Sequence, residues 1–592
     1  MGERTKVTVA GWTRCAFFQK AANVVASLEH LFPRQVQAEI IELKDRDTYK
    51  AYLPKVYEKI PGSEGHTSSP LTWLNDEKYL GGCDDTLAYA RTFFSGTGSA
   101  GLGQVASIKE DTEAEETYDY DLVVIGGGSG GLAASKEAAG LGAKVALLDF
   151  VKPSPQGTSW GLGGTCVNVG CIPKKLFHHS ALFGEGLHDA KDFGWDISVE
   201  KHDWSRFITN VRNYIKSLNF GYKVQLRTKQ VKYLNKLGSL VDAHTVSCVD
   251  KKGKEEKITA KRILIAVGGR PKQLQCPGSE LAITSDDMFF LEKPPGKTLV
   301  VGASYVALEC ASFLTGLGYD TTVMVRSIFL RGFDQQMADM VGDAMQKTGT
   351  KFIRSAVPTS LEKTSDGRIK VTWGDNESDV YDTVLAAIGR SADTKEIGLE
   401  NVGLKVDGSG KLSTEFQQTS VPSIFAIGDC EQGVAELTPV AIALGRNLSN
   451  RLYGKLKEAT DLNCVPTAIF AGLEYGCVGL SEEEAKEKYG SALEVYHTYF
   501  TPLQWTICEK REFNQCYCKV LVDKEENERV VGMHILSPEA GEIIQAYGVP
   551  MKMGMTFKDL TDLVGIHPTI GEELCMVEEP KSSGKDAQKS GC

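Results

Sequence analysis

An α/β fold built around two parallel sheets is what this 592-residue sequence predicts. Three observations carry that expectation. Strand-like and helix-like segments alternate from residue 118 to about 463, the order that builds parallel sheets. Twice in that stretch an apolar strand runs into a glycine-bearing turn and then an apolar helix. From about residue 464 the pattern changes to mixed α+β, as a separate domain would show. At about 150 residues per domain, the length suggests about four domains. The net charge of −11 argues against a nucleic-acid binder. No run approaches eighteen apolar residues, so a membrane-spanning helix is not expected. The first residues show neither a signal core nor an Arg/Ser-rich leader, which makes a cytoplasmic protein with reduced thiols the expectation.

In chain order, residues 1–94 read as a small domain of their own. A strand over 7–11 leads through Trp12-Thr13-Arg14-Cys15 into a helix ending near Leu31. A strand over 38–43, a helical stretch, a Gly/Ser-rich loop over 62–69, a strand over 71–74 and a helix over 84–94 follow. That βαβ-then-β order, with Pro70 just before a strand, suits a thioredoxin-like fold. Residues 95–117 turn from Gly/Ser-rich to acidic and read as a flexible linker. Residues 118–290 and 411–463 read as two parts of one dinucleotide-binding domain, with a second over 291–410. Residues 464–577 make the α+β domain, and the polar stretch 578–592 reads as a mobile tail.

The strand over 119–125 meets Gly126-Gly127-Gly128-Ser129-Gly130-Gly131, in which Gly126, Gly128 and Gly131 fit G-x-G-x-x-G. Such a turn brings backbone close to a pyrophosphate, and the following helix offers free N–H groups and a positive dipole end. The next strand ends in Asp149, spaced to accept ribose hydroxyls. This is the Rossmann-like signature of a dinucleotide site. It recurs at Gly302-Ala303-Ser304, with Ser304 in place of the middle glycine. There the second strand ends in Arg326, with Arg331 close behind. Guanidinium groups at that place favour a 2′-phosphate, hence NADPH over NADH; the alternative is that both arginines are solvated surface. A third strand ends in Gly428-Asp429, whose carboxylate suits a flavin's ribityl chain. Two sites, the first without any 2′-phosphate feature, suggest FAD and then NADPH.

Between the fingerprints lies Gly163-Gly164-Thr165-Cys166-Val167-Asn168-Val169-Gly170-Cys171-Ile172-Pro173-Lys174-Lys175. Two cysteines with four residues between them can form a disulfide across one helical turn. A zinc site would need a second pair of ligands, for which only His178 and His179 stand nearby. With this motif in hand, residues 118–577 resemble the dimeric flavoprotein disulfide reductases: glutathione reductase, large thioredoxin reductase and dihydrolipoamide dehydrogenase. The resemblance implies a homodimer with FAD and NADPH as cofactors, Gly164 and Thr165 beside the flavin, and no metal. It makes Cys171 the flavin-proximal sulfur, in charge-transfer contact with FAD, and Cys166 the interchange thiol. It puts Lys174 near the flavin, paired with Glu309, and makes Tyr305 the aromatic gate displaced by nicotinamide. His567-Pro568-Thr569-Ile570-Gly571-Glu572 matches the family's H-P-T-x-x-E, so His567, oriented by Glu572, becomes the acid/base serving the other subunit's cysteines. On its own His567 would read as a structural histidine.

The chain runs on past that motif to Gly591-Cys592. Large thioredoxin reductases carry such a tail, ending in Gly-Cys-Cys-Gly or Gly-Cys-selenocysteine-Gly. The resemblance implies that Cys592 belongs to a redox pair whose selenocysteine partner follows it, and that thioredoxin is the substrate; glutathione reductase is the alternative within the class. The front domain resembles a glutaredoxin less closely. Cys15 begins a helix, Ser69-Pro70 is similar to a cis-proline dipeptide, and Gly81-Gly82-Cys83-Asp84-Asp85 resembles a glutathione-binding turn. Phe18 replaces the second cysteine, so a monothiol role with glutathione and a purely structural domain both stay open. Together the modules resemble thioredoxin–glutathione reductases. A flavin-binding scaffold with a docking module in front is the reading from another class.

Overall fold

A computed structural model describes residues 4–33, 35–95, 106, 108–109, 117–198, 201–511, 516–585 and 587. By its internal contacts the chain divides into two compact units, an N-terminal one up to residue 104 and a larger one made of most of the rest.

The N-terminal unit runs β1 (Thr5–Trp12), α1 (Ala16–Leu31), β2 (Val36–Leu43), α2 (Arg46–Tyr57), β3 (Leu71–Leu74), β4 (Lys78–Gly81) and α3 (Cys83–Ser95). Its sheet has the order β2-β1-β3-β4, with β1 parallel to β2 and antiparallel to β3. Alternation along β1 sorts its side chains between two layers. Val7 and Val9 pack with Phe18, Val25 and Leu28 of α1 on one face, while Ala10 packs with Tyr49, Leu53 and Val56 on the other. The Ser69-Pro70 peptide is cis. The short edge strand β4 escaped the sequence reading because Lys78 to Gly81 has no apolar alternation to mark it.

The larger unit opens with β5 (Tyr120–Ile125), α4 (Ser129–Gly140), β6 (Val145–Leu148), α5 (Gly164–Val169), α6 (Cys171–Asp189) and α7 (Trp204–Thr228). Four strands follow: β7 (Lys232–Leu234), β8 (Leu237–Leu240), β9 (Thr245–Val249) and the long β10 (Glu255–Ile265). The C-terminal half of β10 lies parallel to β5 and to β21 (Ile424–Ala426), and its N-terminal half closes an antiparallel meander with β9 and β8. The helix α11 (Thr438–Tyr453) packs against α4, with Gly445 close against the Gly130 carbonyl. All four residues of β6 are buried, as expected of a strand covered on both faces.

A two-stranded link, β11 (Gly269–Pro271) with β20 (Arg390–Ala392), joins this sheet to the second. The second sheet contains β12 (Ile283–Thr284), β13 (Thr298–Val301), β14 (Thr321–Val325), β15 (Lys351–Arg354) and β19 (Thr383–Ala386), all parallel, in the order β12-β19-β13-β14-β15. It is flanked by α8 (Ser285–Met288), α9 (Tyr305–Gly316) and α10 (Gln335–Lys347), with a meander of β16 (Pro358–Lys363), β17 (Ile369–Trp373) and β18 (Glu377–Tyr381) inserted before β19. The sheet therefore begins at Ile283 and the chain is back at the link by Arg390, both ahead of the boundaries read near residues 290 and 410. At this start the polar Ser285-Asp286-Asp287 forms the first turn of α8, with Thr284 and Asp287 making its capping box.

The last domain has β22 (Thr467–Ile469), β23 (Glu474–Gly479), α12 (Glu482–Tyr489), β24 (Leu493–Phe500), β25 (Cys516–Asp523), β26 (Arg529–Ser537), α13 (Ala540–Lys552), α14 (Phe557–Thr561), α15 (Glu572–Cys575) and β27 (Glu579–Pro580). Its antiparallel sheet has the order β22-β23-β26-β25-β24-β27.

Two expectations of looseness need correction. Within 95–117, most of which lies outside the described residues, Ala106 is buried and donates to the Lys457 carbonyl, and Lys109 exchanges hydrogen bonds with the Gln418 amide. Of the tail over 578–592, residues 578–585 and Ala587 are described, and they too hold contacts. Glu579 and Pro580 pair with His497 and Tyr496 of β24, and Lys581 enters a buried charge cluster. Polar composition suggested solvation, but these polar groups meet partners already in place on the sheet. Among the described residues no helix is long and apolar enough to cross a membrane.

Candidate active site

Both glycine turns are built the same way, each at the C-terminal end of a central parallel strand. Gly126 follows β5 with φ +114°, and a Cβ there would lie 2.2 Å from the Ala266 carbonyl oxygen. Gly302 follows β13 with φ +131°, and its Cβ would lie 2.2 Å from the Ala387 carbonyl oxygen. No L side chain fits either place, because the neighbouring strand's backbone occupies it. The turns lead into α4 and α9, with Gly131 buried inside the first turn of α4 and Ser304 at the N-cap of α9.

Beside the first turn opens a cavity of about 380 Å³. Gly126, Gly128, Ser129 and Gly130 form one wall, and Asp149 stands behind them. One Asp149 oxygen accepts the Gly127 N–H at 2.9 Å, and burial raises its carboxyl to about 6 against that hydrogen bond. Gly428 and Asp429 lie on another wall, where burial also raises Asp429. The free amides of a helix start, two carboxylates and close-approach backbone form a donor and acceptor set that fits a flavin dinucleotide.

The same cavity reaches Gly164, Thr165, Cys166 and Cys171. Asn168, fully buried between the cysteines, donates to the Gly164 and Gly161 carbonyls at 2.8 and 3.2 Å and accepts from Asn219 at 2.9 Å. That clamp ends α5 and lets α6 start at Cys171, so its sulfur sits at a helix N-terminus. Both cysteines are free thiols. Hydrogen bonding from Cys166, and then from Thr438, brings Cys171 down from 9.0 to about 7 against the cost of burial, with Lys174 adding its charge. The Thr438 hydroxyl is 3.6 Å from the Cys171 sulfur. Cys166, whose proton bridges to Cys171, is held far above the ordinary thiol range by that hydrogen bond and by burial. Of the two thiols, Cys171 is the one set to lose its proton first.

Lys174 Nζ donates to buried Glu309 Oε1 at 2.8 Å, and the same oxygen accepts the Phe470 N–H at 2.9 Å. Lys174 and Lys175 lie 4.1 and 3.7 Å from the centre of the Phe470 ring. Tyr305, from the first turn of α9, lines the cavity next to Glu309. Behind the site, Glu474 takes hydrogen bonds from His178 Nε2 at 2.9 Å and Lys175 Nζ at 3.0 Å. They outweigh burial and bring its carboxyl down to about 2. His178 is thereby an anchor between α6 and the last domain.

Other candidates stand apart. Arg326 and Arg331 are exposed beyond β14, with Arg331 donating to Ser327 Oγ at 2.9 Å. His567 Nδ1 is 3.0 Å from Glu572 Oε2, but its side chain is 65% exposed and it does not line the cavity within its own chain. Cys592 lies outside the described residues. In the N-terminal unit Cys15 caps α1 but is buried, its thiol donating to the Ser69 carbonyl at 3.6 Å. Sequence reading missed Thr438, Asn168 and Phe470. Thr438-Pro439 marks a helix start, yet nothing in its neighbours says which sulfur it faces.

The thiol pair has a testable pH signature. With the pair reduced and a flavin seated in this cavity, the thiolate–flavin absorbance expected of Cys171 should be fully developed well above pH 7. As pH falls one unit below about 7, protonation should leave roughly a tenth of it. Thr438→Val should move this midpoint upward. A band constant from pH 6 to 9 would contradict the assignment.

Residues 120–445 match the family described as pyridine nucleotide-disulphide oxidoreductase, and residues 465–577 match its dimerisation domain. Thioredoxin reductase SEP1 of Emiliania huxleyi is 54% identical over 487 residues, which is 80% of this chain and 98% of that protein. Paired glycine turns on two parallel sheets, a hydrogen-bonded cysteine pair at the mouth of one and an appended antiparallel domain are thus one inherited assembly, and the chain belongs to the pyridine nucleotide-disulphide oxidoreductase family.

Proposed function

We propose that the protein is an NADPH-dependent flavoprotein thioredoxin reductase working as a homodimer. The observation that carries this reading is the hydrogen-bonded pair of Cys166 and Cys171 beside the dinucleotide-shaped cavity. When bound there, FAD supplies two-electron transfer between NADPH and the cysteine pair. The protein fixes the order of events. Gly126, Gly128 and Asp149 seat the flavin dinucleotide, Asp429 its ribityl chain, and the turn at Gly302 with Arg326 and Arg331 seats NADPH. Lys174 is held by Glu309, and Tyr305 covers the position where nicotinamide arrives.

The reduced pair passes its electrons on by thiol–disulfide exchange. Cys166 attacks the incoming disulfide, forms a mixed disulfide and releases one thiolate. The Cys171 thiolate then attacks the Cys166 sulfur, which restores the Cys166–Cys171 disulfide and releases the second thiolate. Because Cys166 is protonated where Cys171 is not, the first attack needs a base, which takes the Cys166 proton and hands it to one leaving thiolate; the other departs as thiolate and takes any proton from solvent. The partner subunit's His567, oriented by Glu572, is that base and acid. Its exposure favours this role, as do Leu563, Val564 and Ile566, which lie 58%, 91% and 76% exposed just before it on the dimerisation domain. The disulfide attacked is that of the C-terminal tail, Cys592 with a selenocysteine, as in the tails of large thioredoxin reductases; the tail then reduces thioredoxin. Mass spectrometry of the intact C-terminal peptide tests that pairing.

A second reading concerns the N-terminal unit. Its strand order and the Cys15 thiol at the start of α1, donating to the Ser69 carbonyl, favour a glutaredoxin-like module acting on glutathione mixed disulfides through one thiol.

The deciding experiment compares NADPH-driven turnover with thioredoxin and with glutathione disulfide, in the full chain and in Cys592→Ser and Cys15→Ser variants. Thioredoxin turnover should depend on Cys592, and any glutathione-linked turnover on Cys15. Glutathione disulfide reduction untouched by both changes would instead favour a glutathione reductase. Arg326→Ala should raise the KM for NADPH roughly 10- to 100-fold, the value of a lost charge-assisted hydrogen bond, and leave that for NADH unchanged.

A further inference from the structure

The charge cluster under the C-terminal segment serves no step above, yet it is among the most buried polar groups of the chain. Lys519 is completely buried, with Nζ 2.7 Å from Asp334 Oδ2 and 2.8 Å from Glu482 Oε2. Asp334 caps α10 and also accepts the Glu482 N–H at 2.9 Å, so α10, α12 and β25 are tied together. Lys581 joins from the tail. Its Nζ lies 2.6 Å from Glu482 Oε2 and 2.6 Å from Gln336 Oε1. On either side the backbone is also held: Glu579 and Pro580 pair with β24, and Ser582 Oγ donates to Glu494 Oε2 at 2.6 Å. Beyond it, the Ala587 carbonyl accepts the Tyr499 N–H at 3.1 Å and the Thr498 hydroxyl at 3.3 Å.

We propose that Lys581 is a positioning residue that bolts the C-terminal segment around residues 579–585 to α10 and α12, alongside β24 of its own subunit, and so fixes the point from which Cys592 reaches its disulfide partners. This rests on the reading that Cys592 relays electrons. Cys592 lies five residues beyond Ala587, a reach of at most about 18 Å. Released at Lys581, the arm would be counted from about residue 577, roughly three times longer. Effective concentration falls roughly as the −3/2 power of linker length, so the tail step should slow about fivefold. Without Lys581, Lys519 still pairs with Asp334 and Glu482, and Lys486 lies 2.7 Å from Glu482 Oε1, so two cations still face two carboxylates.

The test uses the full-length holoenzyme as wild type, Lys581→Met and Lys581→Arg. Amide hydrogen exchange reads the anchor directly. NADPH turnover is measured with thioredoxin and with ferricyanide, an acceptor that needs no disulfide-exchange arm. Lys581→Met should lose protection at residues 579–583 and at the Tyr499 amide, and drop kcat with thioredoxin about fivefold at unchanged ferricyanide turnover and thermal stability. Lys581→Arg should restore both. Unchanged protection, or lost protection with unchanged thioredoxin kcat, overturns the inference, as does a parallel fall in ferricyanide turnover, which marks a general structural role. Wild-type enzyme that does not reduce thioredoxin at all overturns the functional reading and with it any consequence of the anchor for the relay, while exchange still judges the anchor itself.

Discussion

Replacing Cys166 by serine should lower NADPH-driven disulfide reduction at least about 10³-fold, the scale seen when a covalent nucleophile is removed. The loss should be selective. Cys171 owes its charge first to the Cys166 hydrogen bond, then to Thr438 and Lys174, and a serine hydroxyl can still donate where the thiol did. The variant should therefore keep the Cys171 thiolate, bind the flavin and consume NADPH with ferricyanide, while failing with every disulfide. Cys171→Ser should fail equally with disulfides but lose the long-wavelength band as well. Retention of wild-type disulfide reduction by Cys166→Ser would instead favour a flavin-binding scaffold with a docking module in front.

The second large effect is a pair of single methyl groups. Gly126→Ala places Cβ 2.2 Å from the Ala266 carbonyl oxygen at a φ of +114°, and Gly302→Ala places it 2.2 Å from the Ala387 carbonyl oxygen at a φ of +131°. Neither clash can be relieved by a side-chain rotation, because the obstacle is backbone of the adjacent strand. Their consequences should separate by site. Gly126→Ala should be isolated with little or no flavin and a lowered thermal midpoint. Gly302→Ala should retain flavin at wild-type stoichiometry, be reducible by dithionite and respond to NADPH at least a hundredfold more slowly. Flavin content read from absorbance, with NADPH reduction followed in the same samples, checks both. Equal flavin loss in the two variants would mean that the turns do not serve separate cofactors.

How far the sequence disclosed this molecule follows from what each signal measures. The strands before Gly126 and Gly302 were legible because parallel strands buried on both faces are apolar throughout, and glycine is required where they turn. Cys166, Cys171, Lys174 and Glu309 were legible through family resemblance, and Lys174 and Glu309 do meet at 2.8 Å. Composition misled where polar residues found buried partners. Lys581 and Ser582 look like solvent-exposed tail residues until Glu482 and Glu494, about ninety residues earlier, are placed beneath them. Likewise Ala106 and Lys109 look like linker, and nothing local points to Lys457 or Gln418. Asn168 and Thr438 act through contacts that only the folded chain defines. Local pattern discloses elements and turns; partners distant in sequence it does not.

The electron path can be tested at its central step by mapping thiols on the full-length enzyme under anaerobic conditions. Oxidised enzyme, and enzyme given two equivalents of NADPH per subunit, enough for both the Cys166–Cys171 pair and the tail pair, are each quenched with iodoacetamide, digested and examined by mass spectrometry. A Cys166–Cys171 disulfide is expected in the first sample, Cys166 alkylated in the second, and the disulfide restored when oxidised thioredoxin is added before the quench. A Cys166–Cys171 state indifferent to NADPH, or reduced by NADPH but never reoxidised by thioredoxin, would contradict it.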